Sequence, residues 1–305
     1  LKAPSRPAGA TQGASLVALT SSGLFAAMAM VVRLLSRTIS GPEIAMVRFA
    51  IGVVVVLFLL VILRVQLRPR RWGWLLSRGV FGGTAVLLYF ASIEKIGVGT
   101  ATLLNYTSPV WSTIFAWFFL GERPRQHAFV ALAMTLVGVA LVTSGQAQGW
   151  RLGGWALAAT LSAVLSGMAI TSIRATRMPS PDGTPSESSW TVFASFTTVG
   201  LLATLPTVLP PFGAWLAPTA HDWALLVVCG LLSVGAQILM TSALGRLTAV
   251  GIGIIQQATV VLAMAGGIAF FGEKVSWRGA LGGVITMAGV LWSVLSDRQS
   301  AGADA

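Results

Sequence analysis

The chain has 305 residues, of which 55% are hydrophobic and 10% charged, and its mean hydropathy is +0.82. A soluble surface needs roughly 25–35% charged residues among its exposed positions, so composition excludes a water-soluble globule of this size. The net charge of +11 comes from arginines set in twos and threes between apolar runs; this is the pattern of membrane topology, and it argues against nucleic acid as a partner.

A spanning helix needs about 20 largely apolar residues. Breaking the chain at charges, Pro/Gly clusters and polar runs predicts ten spans. They cover 15–35, 44–63, 74–93, 98–120, 128–143, 155–173, 189–209, 223–244, 250–271 and 280–295. No stretch shows the period-2 alternation of a barrel strand, so the class is all-α. The seventh span closes on Pro206, Pro210 and Pro211, which predicts a kink. The connection at 178–188 is linker-like, and the others are too short to house a soluble domain. Connections on the N-terminal side carry about twice as many Lys and Arg as those on the other side, which predicts that both termini are cytoplasmic.

Cys229 is the single cysteine, and His127 and His221 stand alone. No disulfide framework and no metal-ligand spacing follows, so the expected cofactor set is empty. A Walker A motif is absent from the sequence, which excludes an ATP-driven pump of that type.

The most informative pattern is internal. A constant shift of 151 positions carries Gly79 onto Gly230 and Ala85 onto Ala236. The same shift lays Phe119-Leu120-Gly121-Glu122-Arg123 over Phe270-Phe271-Gly272-Glu273-Lys274, and Gly138-Val139 over Gly289-Val290. Each half holds five spans, an odd number, so the second half enters the bilayer the opposite way up. The expected architecture is therefore an all-α integral membrane protein of ten transmembrane helices, arranged as two inverted five-helix repeats. Its parts are a cytoplasmic tail at 1–14, repeats at 15–146 and 147–296, and a second tail at 297–305. Two such halves give near-equivalent states, one open to each side, with a solute site near the midplane. The small-residue patterns Gly79-x-x-x-Gly83 and Gly279-x-x-x-Gly283 predict close helix packing.

Ten spans, duplicated halves and a Gly-Glu-basic corner after the fourth span of each half resemble the drug/metabolite transporter superfamily, in its EamA-type branch. The resemblance covers 16–296. Asn105-Tyr106-x-x-Pro109, leading into Gly121-Glu122, together with Tyr89, is similar to the amino-acid exporters of that superfamily. It implies an exporter of amino acids, aromatic or otherwise neutral, in the bacterial inner membrane.

Polar side chains within spans must face protein or a wet cavity. The candidate substrate-binding residues are Met28, Tyr89, Asn105, Tyr106, Ser108, Ser166, Gln237, Gln256 and Gln257. The 151-residue shift sets Gln256-Gln257 against Asn105-Tyr106. Amides and hydroxyls suit an ammonium and a carboxylate, while Met and Tyr suit an apolar side chain. All nine acidic residues fall at span ends, in loops or in the tail, so no mid-span carboxylate is placed to carry protons. Uniport or exchange is expected, against the alternative of a broad efflux carrier coupled to protons through an end-of-span carboxylate. An intramembrane enzyme lacks the mid-span His, Asp or Glu it would use. Arg48 and Arg78 lie near span ends and are expected to snorkel to the headgroups. Glu122 is expected to pair with Arg123 at the membrane edge, and Trp111 and Trp117 to shape the cavity. The expected partners are a small-molecule substrate and membrane lipid, with a monomer or weak homodimer as the assembly.

Overall fold

The computed structural model describes residues 8–303 apart from 37, 97–103, 125, 145–153, 180–181, 211–214 and 272–276. Among the described residues there is no strand. In the first half the helices are α1 (Ala8–Leu35), α2 (Gly41–Val61), α3 (Trp72–Ile96), α4 (Ser108–Leu120) and α5 (Gln126–Ser144). The second half contributes α6 (Gly154–Arg177), α7 (Ser189–Thr204), α8 (Ala220–Ala243), α9 (Ala249–Gln256), α10 (Ala258–Phe271) and α11 (Trp277–Ala303). A 3-10 turn at Leu205–Val208 closes α7, where Pro206 ends the regular helix. Seven stretches among the described residues are long and apolar enough to cross a bilayer. The other expected spans fall on α4, α5 and α11, of which α4 and the apolar part of α5 are shorter.

Apolar composition makes these segments helical because lipid offers nothing to backbone N–H and C=O groups. The ends are fixed by side chains. Glu43 accepts from the backbone N–H and the hydroxyl of Ser40 at 3.1 and 2.7 Å, and its other oxygen accepts from the Leu216 N–H at 2.5 Å. Asp222 and Thr219 cap α8 reciprocally, and Asp222 also accepts from the Thr38 hydroxyl at 3.0 Å. At the opposite end of the bundle Glu187 accepts from the N–H groups of Arg70 and Arg71, both at 2.6 Å. Arg71 in turn donates to the carbonyls of Ala175, Met178 and Thr184 at 2.6–2.8 Å. Glu43, Asp222 and Glu187 are thus consumed at the starts of helices.

Two expected spans are interrupted. The fourth is broken by a turn at Tyr106 and Thr107, ahead of Pro109, and the ninth by a turn at Gln257 between α9 and α10. Each break lies about 12–20 Å from the helix end nearest the α6 C-terminus at 1.5 Å per residue, close to the middle of a ~30 Å hydrocarbon layer. The breaks fall on positions related by the 151-residue shift (106 and 257).

Packing is strongly interleaved. The main helix pairs are α5 with α11, α3 with α6 and α7, α1 with α8 and α10, α4 with α6 and α9, and α2 with α7 and α8. All of them join the first half to the second, and each packed apolar cluster among the described residues draws on both halves. Gly83 shows how close the approach is: a Cβ there would stand 2.9 Å from the Cα of Gly200 in α7. Large apolar side chains such as Phe118 and Phe270, 80% and 76% exposed, form an outer surface suited to lipid. Trp117 belongs to that surface at 61% exposed. The expectation that it shapes a cavity is wrong, because position 117 projects away from the helices that α4 packs against.

Candidate functional site

The two helix breaks meet. The Gln257 side chain donates through Nε2 to the Tyr106 carbonyl at 3.2 Å. Pro109 frees backbone at the first break and packs on Gly253, where a Cβ would come within 2.9 Å of it. Gln257 is 1% exposed and its Oε1 is buried without a partner.

A polar layer surrounds this crossing. Asn105 donates to the Ser162 hydroxyl of α6 at 2.9 Å. Gln256 donates to Ser21 of α1 at 3.2 Å and lies 3.4 Å from the Ser22 hydroxyl. Ser21 itself donates to the Ala236 carbonyl of α8 at 2.8 Å, one residue from Gln237. Ser108 and Ser166 are half-buried at the start of α4 and in the middle of α6. Tyr89 is half-buried on α3, its ring 5.7 Å from that of Phe90.

The second cluster corrects the sequence-based reading of Arg48 and Arg78. Neither reaches the headgroup zone; each is 5% exposed within the bundle. Arg48 sits seven residues into α2 and Arg78 six residues into α3, which run in opposite directions, so the side chains approach the centre from opposite ends. Arg78 donates through Nη2 to Gln237 Oε1 at 2.9 Å and lies over Phe196, 3.7 Å from the ring centroid. Arg48 lies 4.8 Å from the Phe49 ring centroid, with its Nη1 3.9 Å from Met28 Sδ. Phe49 and Phe196 form an edge-on pair at 5.1 Å. The hydropathy pattern reports how far a residue lies from a span end, but not which helix face it occupies. An arginine four residues before a glycine, as with Arg78 and Gly82, was the available signal: the missing Cβ leaves room for Arg78 Nη1.

A third correction concerns Glu122. Gly121 ends α4 with a left-handed φ of 66°, which turns the next residue inward. Glu122 then accepts from Arg174 Nε of α6 at 2.5 Å, with side chains 13% and 6% exposed, and from the Ala249 N–H at the start of α9 at 3.2 Å. Arg174 also donates to the Leu244 carbonyl at 2.9 Å. The partner is a residue of the other half and not the neighbouring Arg123. The side chains of Glu94 and Glu273 lie outside the described residues.

At this same end a cavity of ≈ 340 Å³ is lined by Ala14, Val17, Arg177, Ser242, Gly245 and Arg246. It borders the packed cluster of Ile173, Met240, Leu244, Leu247, Ile252 and Ile255, with Ala14 and Ala243 belonging to both. The α1 face leads inward from Ala14 and Val17 through Ser21 and Ser22 to Met28. Among the described residues no group of His, Cys, Asp and Glu is arranged to hold a metal ion.

An apolar exterior, interrupted helices and a buried polar interior define a multi-pass helical membrane protein. The EamA-like transporter family model matches it twice, over residues 12–144 and 153–295, and the chain belongs to that family. It is a transporter and not an enzyme. Pseudopaline exporter CntI of Pseudomonas aeruginosa is 27% identical over 271 residues, covering 88% of this chain and 92% of the relative. Human solute carrier family 35 member G1 is 28% identical over 220 residues, covering 67% of this chain and 57% of the relative. A solved crystal structure shares the fold with a TM-score of 0.77 at 20% identity, covering 94% of this chain and 98% of the other.

Proposed function

We propose that the protein exports amino acids or similar small metabolites across the bacterial inner membrane by alternating access, with both termini cytoplasmic. The working unit is a ten-helix bundle of two inverted five-helix repeats, 15–146 and 147–296. The observation that carries the reading is the contact of two helix breaks at positions 106 and 257, equivalent under the internal shift. Discontinuous helices at the midplane are where carriers of this kind bind solute. Reciprocal packing adds support: α1 on α8 mirrors α3 on α6, and α2 on α8 mirrors α3 on α7. The twofold family match adds more, and the name of the Pseudomonas relative supports outward transport.

In this reading Asn105, Tyr106, Ser108, Gln256 and Gln257 line the solute site beside the breaks. Met28, Tyr89, Ser166 and Gln237 line its approaches. Every carboxylate whose side chain is described serves a helix cap, a turn or the Arg174 pair, which supports uniport or exchange in place of proton coupling. The test is flux of labelled amino acids in proteoliposomes containing the wild type, Asn105→Ala or Gln257→Ala. The expected result is at least a tenfold loss of rate in each variant. Unchanged rates in both would remove the site, and accumulation driven by a pH gradient alone would refute uncoupled transport.

A further inference from the structure

We propose that Arg48 and Arg78 together bind the two carboxylates of a dicarboxylate solute, an inference that rests on the transport reading above and specifies its substrate class. Both guanidiniums are 5% exposed, yet neither has a carboxylate partner among the described residues. Arg48 has no oxygen acceptor there: its Nη1 faces the Met28 thioether, and its Nε and Nη2 are buried with no partner. Nε and Nη2 form one edge of the guanidinium fork, the edge that grips a carboxylate with two parallel hydrogen bonds. Arg78 keeps a free Nε beside the Nη2 held by Gln237.

Arg71 and Arg177 also leave a buried Nε unpartnered, but their Nη groups reach backbone carbonyls, and Arg174 has Glu122 and the Leu244 carbonyl; Arg48 differs from them in having no oxygen acceptor. Rings partly compensate the two central charges: Phe49 and Phe90 lie 4.8 and 5.9 Å from the Arg48 guanidinium carbon, and Phe196 lies 3.7 Å from that of Arg78. Stacking on a ring face leaves the hydrogen-bonding edge open. Two desolvated cations with unmet donors are costly unless something anionic visits them. A single carboxylate would neutralise one cation, whereas a dicarboxylate neutralises both. The edge-on Phe49–Phe196 pair links the ring against Arg48 to the ring against Arg78, so the two guanidiniums sit against one aromatic pair. Arg177 and Arg246 line the cavity at the α6 C-terminal end and add positive charge that would attract an anionic solute.

The experiment is tryptophan-fluorescence melting of the purified full chain in detergent, at matched ionic strength, with glutarate, L-glutamate, L-glutamine, inorganic phosphate or chloride. Glutarate and L-glutamate are expected to raise the melting temperature by about 5 °C at a hundredfold excess over Kd, and glutamine, phosphate and chloride to leave it unchanged. Arg48→Met and Arg78→Met are expected to melt at or above the wild-type temperature without ligand and to lose the dicarboxylate shift. Arg48→Lys, which keeps charge but not the fork, provides a second variant should the methionine forms fail to fold; its shift falls by more than half.

A wild type indifferent to both dicarboxylates, an equal shift with phosphate, or an unaltered shift in the variants overturns the assignment. Counterflow of labelled glutamate and glutamine separates it from the broader reading. If both move equally and independently of the arginines, the transport reading stands and this assignment falls. If binding depends on the arginines but no solute crosses, the assignment stands and the transport reading falls.

Discussion

Replacing Glu122 with glutamine leaves Arg174 charged and 6% exposed, its remaining described acceptor the Leu244 carbonyl. Breaking a buried pair from one side costs about 3–5 kcal/mol, whereas an exposed pair contributes about 0.2–1 kcal/mol. The amide can still accept from the Ala249 N–H, so the loss falls on the ion pair itself. We therefore expect Glu122→Gln to destabilise the bundle by about 3 kcal/mol and Arg174→Met by about 2 kcal/mol. The double variant is expected to lose less than the sum, with a coupling of about 2 kcal/mol. Cys229 supplies the assay, since it is the one cysteine in the chain and is 1% exposed. Its reaction with a thiol-reactive maleimide dye during a denaturant or temperature series reports opening of the α2–α8 core. Additivity within 0.5 kcal/mol would show that the pair is solvated and would refute the reasoning.

Gly121→Ala forces a side chain into a left-handed conformation and is expected to cost about 1 kcal/mol; the same dye assay reads it, and no loss would mean the corner is held by other contacts. Gly138→Val drives a side chain into the Gly282 carbonyl and Thr286, which a Cβ would meet at 2.6 and 2.2 Å. It is expected to abolish a monodisperse peak in size-exclusion chromatography. Trp117→Ala removes an exposed side chain and is expected to leave flux within about twofold, because it touches lipid and not the path.

Much of the fold is written in composition and spacing. Apolar runs of about 20 residues located the helices, and seven stretches among the described residues are long and apolar enough to cross a bilayer; Pro206 marked the end of α7. The helix breaks were hidden, since an uninterrupted apolar run looks alike whether it is one helix or two; the fourth span was expected to be continuous through Pro109, and nothing in Gln256-Gln257 announced a turn. The 151-residue shift did align Tyr106 with Gln257, which the structure joins by a hydrogen bond. The inward turn of Arg48 and Arg78 depends on helix face and on neighbours from α7 and α8, more than a hundred positions away. Glu122 has a charged neighbour in Arg123, and its actual partner, Arg174, is set by tertiary packing. The outward face of Trp117 was not legible, because in lipid both sides of a helix are apolar and the sequence carries no contrast to orient it.

Alternating access between two like halves requires that they lie upside down relative to each other. Single cysteines placed by Arg123→Cys and Lys274→Cys, in a Cys229→Ala background, can be labelled in intact cells with a membrane-impermeant maleimide. Inverted halves with cytoplasmic termini require labelling at 274 and protection at 123 until the membrane is permeabilised. Labelling of both, or of neither, before permeabilisation would contradict that arrangement.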